Sequence, residues 1–400
     1  MSKKFFSLFL STVLIACVAF AVISVARMVV NKPNDWDNTE PVKIVEKGSS
    51  YKHYYDSLST VQKHTYNQIL KNIYSMPEKI EIPSVDDSDI EKVFTALIDD
   101  NPDLYFVDLF ESRIESYGFR TRCNMSYALT KEEYAESEKK IGEICKKVIS
   151  GLSSPDNQWQ TELEINDYLV DNCEYKYDPE DHFAYSTAYS VLVNGEAACE
   201  GYSKAAKMLF DMAGIESMTV RGESIGNGET VEHMWNIVNI DGEYYNFDCT
   251  WNDPVSSGSE KEISSIADRI ADSEKRYRYF NLSDEMIKDT HIPENNTVKC
   301  TATEGNYFNK TATVFDDYNR ETEEKIRLLV REAIENGKDY VSFGFADKKD
   351  FGRAVESLGK SAKINGIFRE YEKETGKKTK KHTIYSVNEE QKIIIDIEYA

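Results

Sequence analysis

Three residues far apart along the chain have the types that nucleophilic acyl chemistry needs: Cys199, His233 and Asp248. Cys199 follows Gly195-Glu196-Ala197-Ala198 and opens a helical pattern. A thiolate at a helix start is favoured by the positive end of the helix dipole. The unpaired N–H groups of the first turn can also receive the charge of an oxyanion. Taken alone, a cysteine there is more often a small buried apolar residue, so the reading rests on its companions. His233 opens one strand-like run and Asp248 closes the next, with Asp241-Gly242 between them as a hairpin turn. Across that turn His233 falls near Thr250 and diagonally near Asp248, within side-chain reach. The carboxylate would then hold the imidazole and stabilise its cation, and the imidazole would take the thiol proton.

The elements that must position these groups follow from periodicity and punctuation. Ala198 to Ala213 reads as a helix with Ala205, Met208, Leu209 and Met212 on its apolar face, ended by Gly214. Met218 to Gly222, His233 to Ile240 and Glu243 to Cys249 read as strands. Cys249 would then point away from Asp248, as a buried residue. Upstream, Tyr51 to Tyr74 reads as one amphipathic helix, and Ser88 to Asp99, Lys131 to Ile149 and Thr161 to Cys173 as three more. Leu104 to Ser126 alternates as strands do, and Asn101-Pro102-Asp103 stops the helix before it. Downstream, Glu321 to Asn336 and Lys349 to Leu358 read as helices, and Tyr340 to Phe345 and Lys392 to Tyr399 as strands.

The motif blocks around the three residues resemble those of the bacterial transglutaminase-like superfamily. They are Cys199-Glu200-Gly201-Tyr202-Ser203-Lys204-Ala205, then His233-Met234-Trp235-Asn236, then Tyr245-Asn246-Phe247-Asp248-Cys249-Thr250-Trp251-Asn252-Asp253. The likeness runs over residues 160 to 285, with Tyr279-Phe280-Asn281-Leu282-Ser283 after the hairpin. It implies a papain-like α+β core, a triad of Cys199, His233 and Asp248, and attack of the sulfur on an amide carbonyl to give a thioester. Water would complete a protease or deamidase reaction and a lysine amine a crosslink; the shared acyl-enzyme leaves these open. Tyr185, Tyr189 and Trp235 are the candidates for an oxyanion donor or a cleft wall, against the alternative that each simply packs. Trp251 is weighed in the same way. Gly201 is read as the point where another chain or substrate comes close.

The expected organisation is a transmembrane anchor or signal segment over 1–30, a linker over 31–50, a mainly helical accessory region over 51–150, the catalytic core over 151–291 and a C-terminal α+β module over 300–400. Lys3 and Lys4 precede an uncharged apolar run from Phe5 to Ala26, long enough at about 1.5 Å per residue to cross a bilayer core of about 30 Å. Its length favours an uncleaved anchor. Ser24-Val25-Ala26 also suits a cleaved signal peptide, and Leu14-Ile15-Ala16-Cys17 a lipoprotein signal, against which the apolar residues after Cys17 argue. All three place the remainder of the chain outside the cytoplasm.

The formal charge of -22 in 400 residues excludes phosphate tracking and a basic lipid-docking face. The seven cysteines are scattered without a CxxC pair, so neither a zinc ribbon nor a disulfide scaffold is expected. His53, His64, His182, His291 and His382 lack paired metal spacing and read as structural or surface residues. No metal and no cofactor is expected. The partner expected is a protein or peptide substrate. The competing function is a catalytically silent transglutaminase-like surface scaffold that binds a protein partner; an intact triad disfavours it.

Overall fold

The computed structural model describes residues 51–400 except 110, 118–119, 179–180, 227–228, 254–274, 295–296, 312, 339, 360–362, 377–378, 388–391 and 400. The expected membrane segment and linker, residues 1–50, lie outside the described residues. Among those described, no helix is long and apolar enough to cross a membrane.

The chain divides into two compact units. The first holds the residues up to Tyr244 together with Asp248–Thr250 and Lys288–Lys299. It begins with two helices, His53–Ser57 and Thr60–Ile73, where one was expected. The break is local chemistry. Ser59 Oγ accepts from the Gln62 N–H at 3.4 Å, and Gln62 Oε1 accepts from the Ser59 N–H at 2.8 Å, a capping box that starts a new helix. The short helix is pinned by Asp100, whose carboxylate accepts from the N–H groups of Tyr54 (3.0 Å) and Tyr55 (2.8 Å). Asp100 ends the helix Asp87–Asp100, so one buried side chain ties the two together. Strands β1 (Lys79–Ile82), β2 (Arg113–Tyr117) and β3 (Arg120–Asn124) form an antiparallel sheet in the order β1-β3-β2, so this region is less purely helical than expected. Helices Lys131–Gly151 and Gln158–Asn172 follow.

Strand β4 (Glu174–Tyr175) pairs in parallel with β5 (Glu196–Ala197), which leads into the helix Cys199–Ala213. Gly214, at φ 74°, ends that helix in the left-handed conformation that costs glycine least. Four strands then make a sheet in the order β8-β7-β6-β9: β6 (Ser217–Gly226), β7 (Glu229–Ile240), β8 (Glu243–Phe247) and β9 (His291–Pro293). Asp241 (φ 55°) and Gly242 (φ 93°) both take positive φ, the signature of the tight turn expected between β7 and β8. Strand β8 stops at Phe247, shorter than expected, and Cys249 opens a one-turn helix to Asn252. Cys249 is buried all the same.

The Cys199 helix packs on β6 and β7. Tyr202, Ala205, Ala206, Leu209 and Phe210 are fully buried, each large one contributing about 1.5–3 kcal/mol. Lys207 is buried too. Its Nζ donates to the carbonyls of Ser217 (2.9 Å) and Tyr51 (3.1 Å), so the charge is solvated by main chain, with Asp211 at 3.4 Å as counterion.

The second unit comprises Tyr245–Phe247, Trp251–Ile287 and Cys300–Ala400. Its sheet runs β10 (Thr313–Phe315), β11 (Tyr340–Phe345), β13 (Lys392–Tyr399), β12 (Thr379–Val387), with β10 and β11 parallel and the rest antiparallel. Helices Arg320–Glu335, Lys348–Ala354 and Lys363–Thr375 contribute Ile326, Val330, Phe351 and Phe368 to a core shared with Phe343, Ile393 and Ile395. Trp251 packs edge-on against Tyr279 at 5.0 Å, in this unit.

Gly201 gives a test of the packing. A Cβ there would stand 2.8 Å from Tyr185 O and 2.8 Å from Ala197 Cβ, so the close neighbour is the chain itself. In an ordinary helix interior Gly→Ala stabilises by about 1 kcal/mol. Here Gly201→Ala is expected to destabilise, by roughly 1–3 kcal/mol. Urea unfolding of the two proteins reads the sign.

Candidate active site

Cys199 is the first residue of its helix, and Ala198 before it is extended with no side-chain cap. The entry is fixed by main chain, with Ala198 N–H donating to Tyr185 O at 2.8 Å. The first helical bond runs from Tyr202 N to Ala198 O at 3.1 Å, so the Cys199 N–H stands outside the helical ladder. Cys199 is partly exposed, whereas the other five described cysteines, 123, 145, 173, 249 and 300, are buried. Burial pushes the Cys123 and Cys145 thiols up, to about 12 and about 11, which suits inert core residues.

His233 lies on β7 opposite Gly222 of β6. Cys199 is near enough to its ring to favour the protonated imidazole, and its Nε2 lies 2.8 Å from Asp248 Oδ2. Because Nε2 is taken by the carboxylate, Nδ1 is the atom left to face sulfur. Asp248, in the bend between β8 and the one-turn helix, is fully buried and accepts the Thr250 N–H on Oδ1 at 2.9 Å. A second imidazole reaches the same carboxylate: His291 Nε2 lies 3.0 Å from Asp248 Oδ2. The structure therefore brings Cys199, His233 and Asp248 together, and of the two readings of His291, structural or surface, it favours the first: His291 is buried and joined to the cluster.

The electrostatics follow from burial and charge. Burial pushes His233 down, but the Asp248 carboxylate beside it, their hydrogen bond and Cys199 outweigh that and raise it to about 10. Burial alone would push Asp248 up, yet the two histidines hold it well below the usual carboxylate range.

Ligand-type atoms of His233, Asp248 and His291 lie within 4.8 Å of one another. The two nitrogen–oxygen separations are 2.8 and 3.0 Å, both on a single carboxylate oxygen. Those are hydrogen-bond lengths.

A cleft of about 1110 Å³ opens on Cys199 and His233, with Leu104, Tyr105, Tyr175, Tyr177, Phe183 and Val231 among its walls. The three aromatic candidates fall elsewhere. Tyr185 lies under the Lys176 ammonium at 5.2 Å, Tyr189 stacks on Tyr105 at 5.4 Å, and Trp235 is buried behind His233 and His291. None lines the cleft. Tyr175 does so instead. It is paired across β4 and β5 with Ala197, two residues before the cysteine. Burial, then the nearby Cys199 and Asp248, push its phenol up to about 12, so it stays a neutral donor. Nothing in the spacing of Glu174-Tyr175-Lys176-Tyr177 marks it.

One cleft wall is an ion-pair chain. Arg221 grips Asp99 through Nε and Nη2, both at 2.8 Å, and reaches Glu200 Oε1 at 3.1 Å; Lys204 Nζ meets the same oxygen at 2.8 Å. Glu200, next to the cysteine, is thus engaged in holding the first turn of the helix.

Fold and site together define a core with a cysteine at a helix start, a histidine on the facing sheet and an aspartate just past the end of β8. Residues 143–249 match the family model described as the transglutaminase-like superfamily. No curated protein matches this sequence. Solved structures share part of the fold at low similarity. A TGase is 15% identical, with 46% of this chain and 52% of that one covered at a TM-score of 0.27. A Cytophaga hutchinsonii protein provisionally called a cysteine protease is 15% identical over 37% and 64% of the two chains, at 0.25. A Parabacteroides distasonis protein provisionally called a protease is 12% identical over 35% of each, at 0.21. This chain spans less than two thirds of each of them, and likeness at this level carries no argument about activity.

The raised His233 predicts a linkage. Its contribution to stability is fully present below about pH 6.5 and is lost as pH rises through about 10. Asp248→Asn removes the charge that raises it. The stability difference between native protein and Asp248→Asn, from urea unfolding, is therefore expected to shrink between pH 6.5 and 10.

Proposed function

We propose that this protein is a cysteine-dependent acyl-transfer enzyme acting on amide bonds of proteins or peptides, held at the outer face of a membrane by its N-terminal segment. The observation that carries the reading is that Cys199 and His233 line one open cleft, with His233 Nε2 2.8 Å from Asp248 Oδ2.

With the thiol proton held on His233 Nδ1, the Cys199 sulfur attacks the amide carbonyl carbon as the thiolate. The Cys199 N–H and the Tyr175 hydroxyl are the donors placed to receive the oxyanion. The C–N bond breaks as the imidazolium protonates the leaving amine, leaving a thioester on sulfur. Water or an amine then gives up a proton to His233 and attacks the thioester, releasing acid or a new amide and restoring the thiolate beside the protonated ring. Asp248 carries the positive charge of the ring through both halves.

The cleft wall presents Asp108, Glu111, Asp181, Glu200 and Glu232 against Lys204 and Arg221. Its acidic excess, within a chain of formal charge -22, favours a cationic peptide or a primary amine over an acidic one. Hydrophobic contact with the exposed Tyr177 and Val231 would seat an apolar neighbour.

The test is incubation with an unstructured protein substrate and a fluorescent primary amine, with mass spectrometry scoring new chain ends, deamidated glutamines and amine adducts. Cys199→Ala is expected to lose whichever product forms by at least about 10³-fold. Product formed equally by Cys199→Ala, or by none of the three routes, contradicts the reading. With peptides of matched length, rates for a lysine-rich peptide are expected to exceed those for a glutamate-rich one, and the gap to narrow as salt rises.

A further inference from the structure

Resting on that reading, we infer that His291 is a positioning residue of the same site, the second imidazole donor that fixes the Asp248 carboxylate for His233. The arrangement is a buried His–Asp–His cluster. His233 Nε2 and His291 Nε2 lie 2.8 and 3.0 Å from Asp248 Oδ2, while Oδ1 accepts the Thr250 N–H at 2.9 Å. An ionised carboxylate accepts only, so both nitrogens carry hydrogen and both donate. The carboxylate sets the tautomer of His291, whose Nδ1 lies 2.9 Å from the Thr290 hydroxyl on the far side. With the ring proton on Nε2, Nδ1 can accept from that hydroxyl.

The His291 side chain is fully buried and does not line the cleft. It therefore touches neither substrate nor sulfur and acts through Asp248. Its placement is built by strand pairing. His291 opens β9 and pairs with Ser224 of β6, and Ile225 N–H donates to Thr290 O at 2.8 Å. Gly222 makes the close approach of β9 possible, since a Cβ there would fall 2.2 Å from Ile292 O and 2.9 Å from Trp235 Cη2. Trp235 closes the cluster with its ring edge-on to His291 at 5.0 Å. Every feature that brings β9 against β6 thus ends in delivering one N–H to one carboxylate oxygen.

A donor on Oδ2 beside the His233 bond does two things. It stabilises the ionised carboxylate, a charge-assisted contact in a dry site. It also stops the carboxylate from rotating away from His233, which keeps the imidazole aimed at the cysteine.

The test compares iodoacetamide labelling of Cys199 at pH 7 in native protein, His233→Ala, His291→Phe and His291→Gln. Gln reaches with an N–H to about the place of the His291 Nε2, whereas Phe fills the space without a donor. His291→Phe is expected to label at least about tenfold more slowly than native protein with its fold intact by circular dichroism, and His291→Gln to recover to within about threefold. If His291→Phe does not fold, His291→Gln decides alone. Labelling within threefold supports the inference, and a rate as low as that of His233→Ala overturns it. Equal rates for native protein and folded His291→Phe also overturn it. Loss of rate in His233→Ala with none in His291→Phe sinks only the positioning role, whereas no loss in His233→Ala sinks the proposed function itself. A chelator in the buffer is expected to change no rate; slowing of native protein by the chelator would assign the cluster to a metal and overturn the inference.

Discussion

A carboxylate with almost no access to water is the constraint around which this site is arranged. Asp248 would be strongly disfavoured as an anion in an apolar interior, and a buried charge persists only when its lone pairs are met. Here they are met by three N–H groups from three places in the chain: the main chain at Thr250, the ring on β7 and the ring on β9. Each donor is delivered by a different local rule. The Asp241-Gly242 turn brings the end of β8 back to β7, the bend after Phe247 turns Thr250 N–H onto Oδ1, and Gly222 admits β9. The result is a negative charge that cannot relax, facing an imidazole whose protonated form it stabilises.

The same economy of buried charge appears on the other side of the cleft. The helix Asp87–Asp100 supplies Asp99, and Arg221 of β6 bridges it to Glu200 on the Cys199 helix. Lys207 meanwhile ties that helix to the carbonyls of Tyr51 and Ser217. Asp100, beside Asp99, is pushed up to about 7 by burial, while its bonds to the N–H groups of Tyr54 and Tyr55 and the nearby Lys207 and Lys52 act the other way. The region before residue 150 is therefore wired to the first turn of the Cys199 helix through side chains with few alternatives, and the cysteine's position depends on residues a hundred positions upstream.

How much of this was legible beforehand differs by kind of signal. Helices with strong periodicity and clear caps, such as Cys199–Ala213 ended by Gly214, and the Asp241-Gly242 hairpin were readable because their determinants are local. The Cys199, His233 and Asp248 convergence was readable because a short hairpin fixes which residues face each other. His291 was not. It lies 43 residues beyond Asp248, on a three-residue strand with no periodicity, and only the tertiary pairing of β9 with β6 gives it meaning. Tyr175 was missed for a related reason, since its neighbour Ala197 is reached through a two-residue parallel bridge. Tyr185, Tyr189 and Trp235 show the opposite error: Trp235 is buried against His233 and His291, Tyr189 stacks on Tyr105, and Tyr185 lies under Lys176. The break at Ser59 was written in Ser59 and Gln62, a capping box that the hydrophobic pattern running through it concealed.

The central claim is that a buried Asp248 anion keeps the His233 ring charged and turned with Nδ1 toward sulfur. Nitrogen NMR of protein labelled with ¹⁵N in its imidazole rings tests it directly. The account predicts that at pH 7 both nitrogens of His233 are protonated, that Nε2–H shows the strong downfield shift of a bond to a carboxylate, and that the ring loses its proton only well above the ordinary histidine range, near pH 10. A His233 ring that is neutral at pH 7, or that titrates at or below about 6.5, would contradict it.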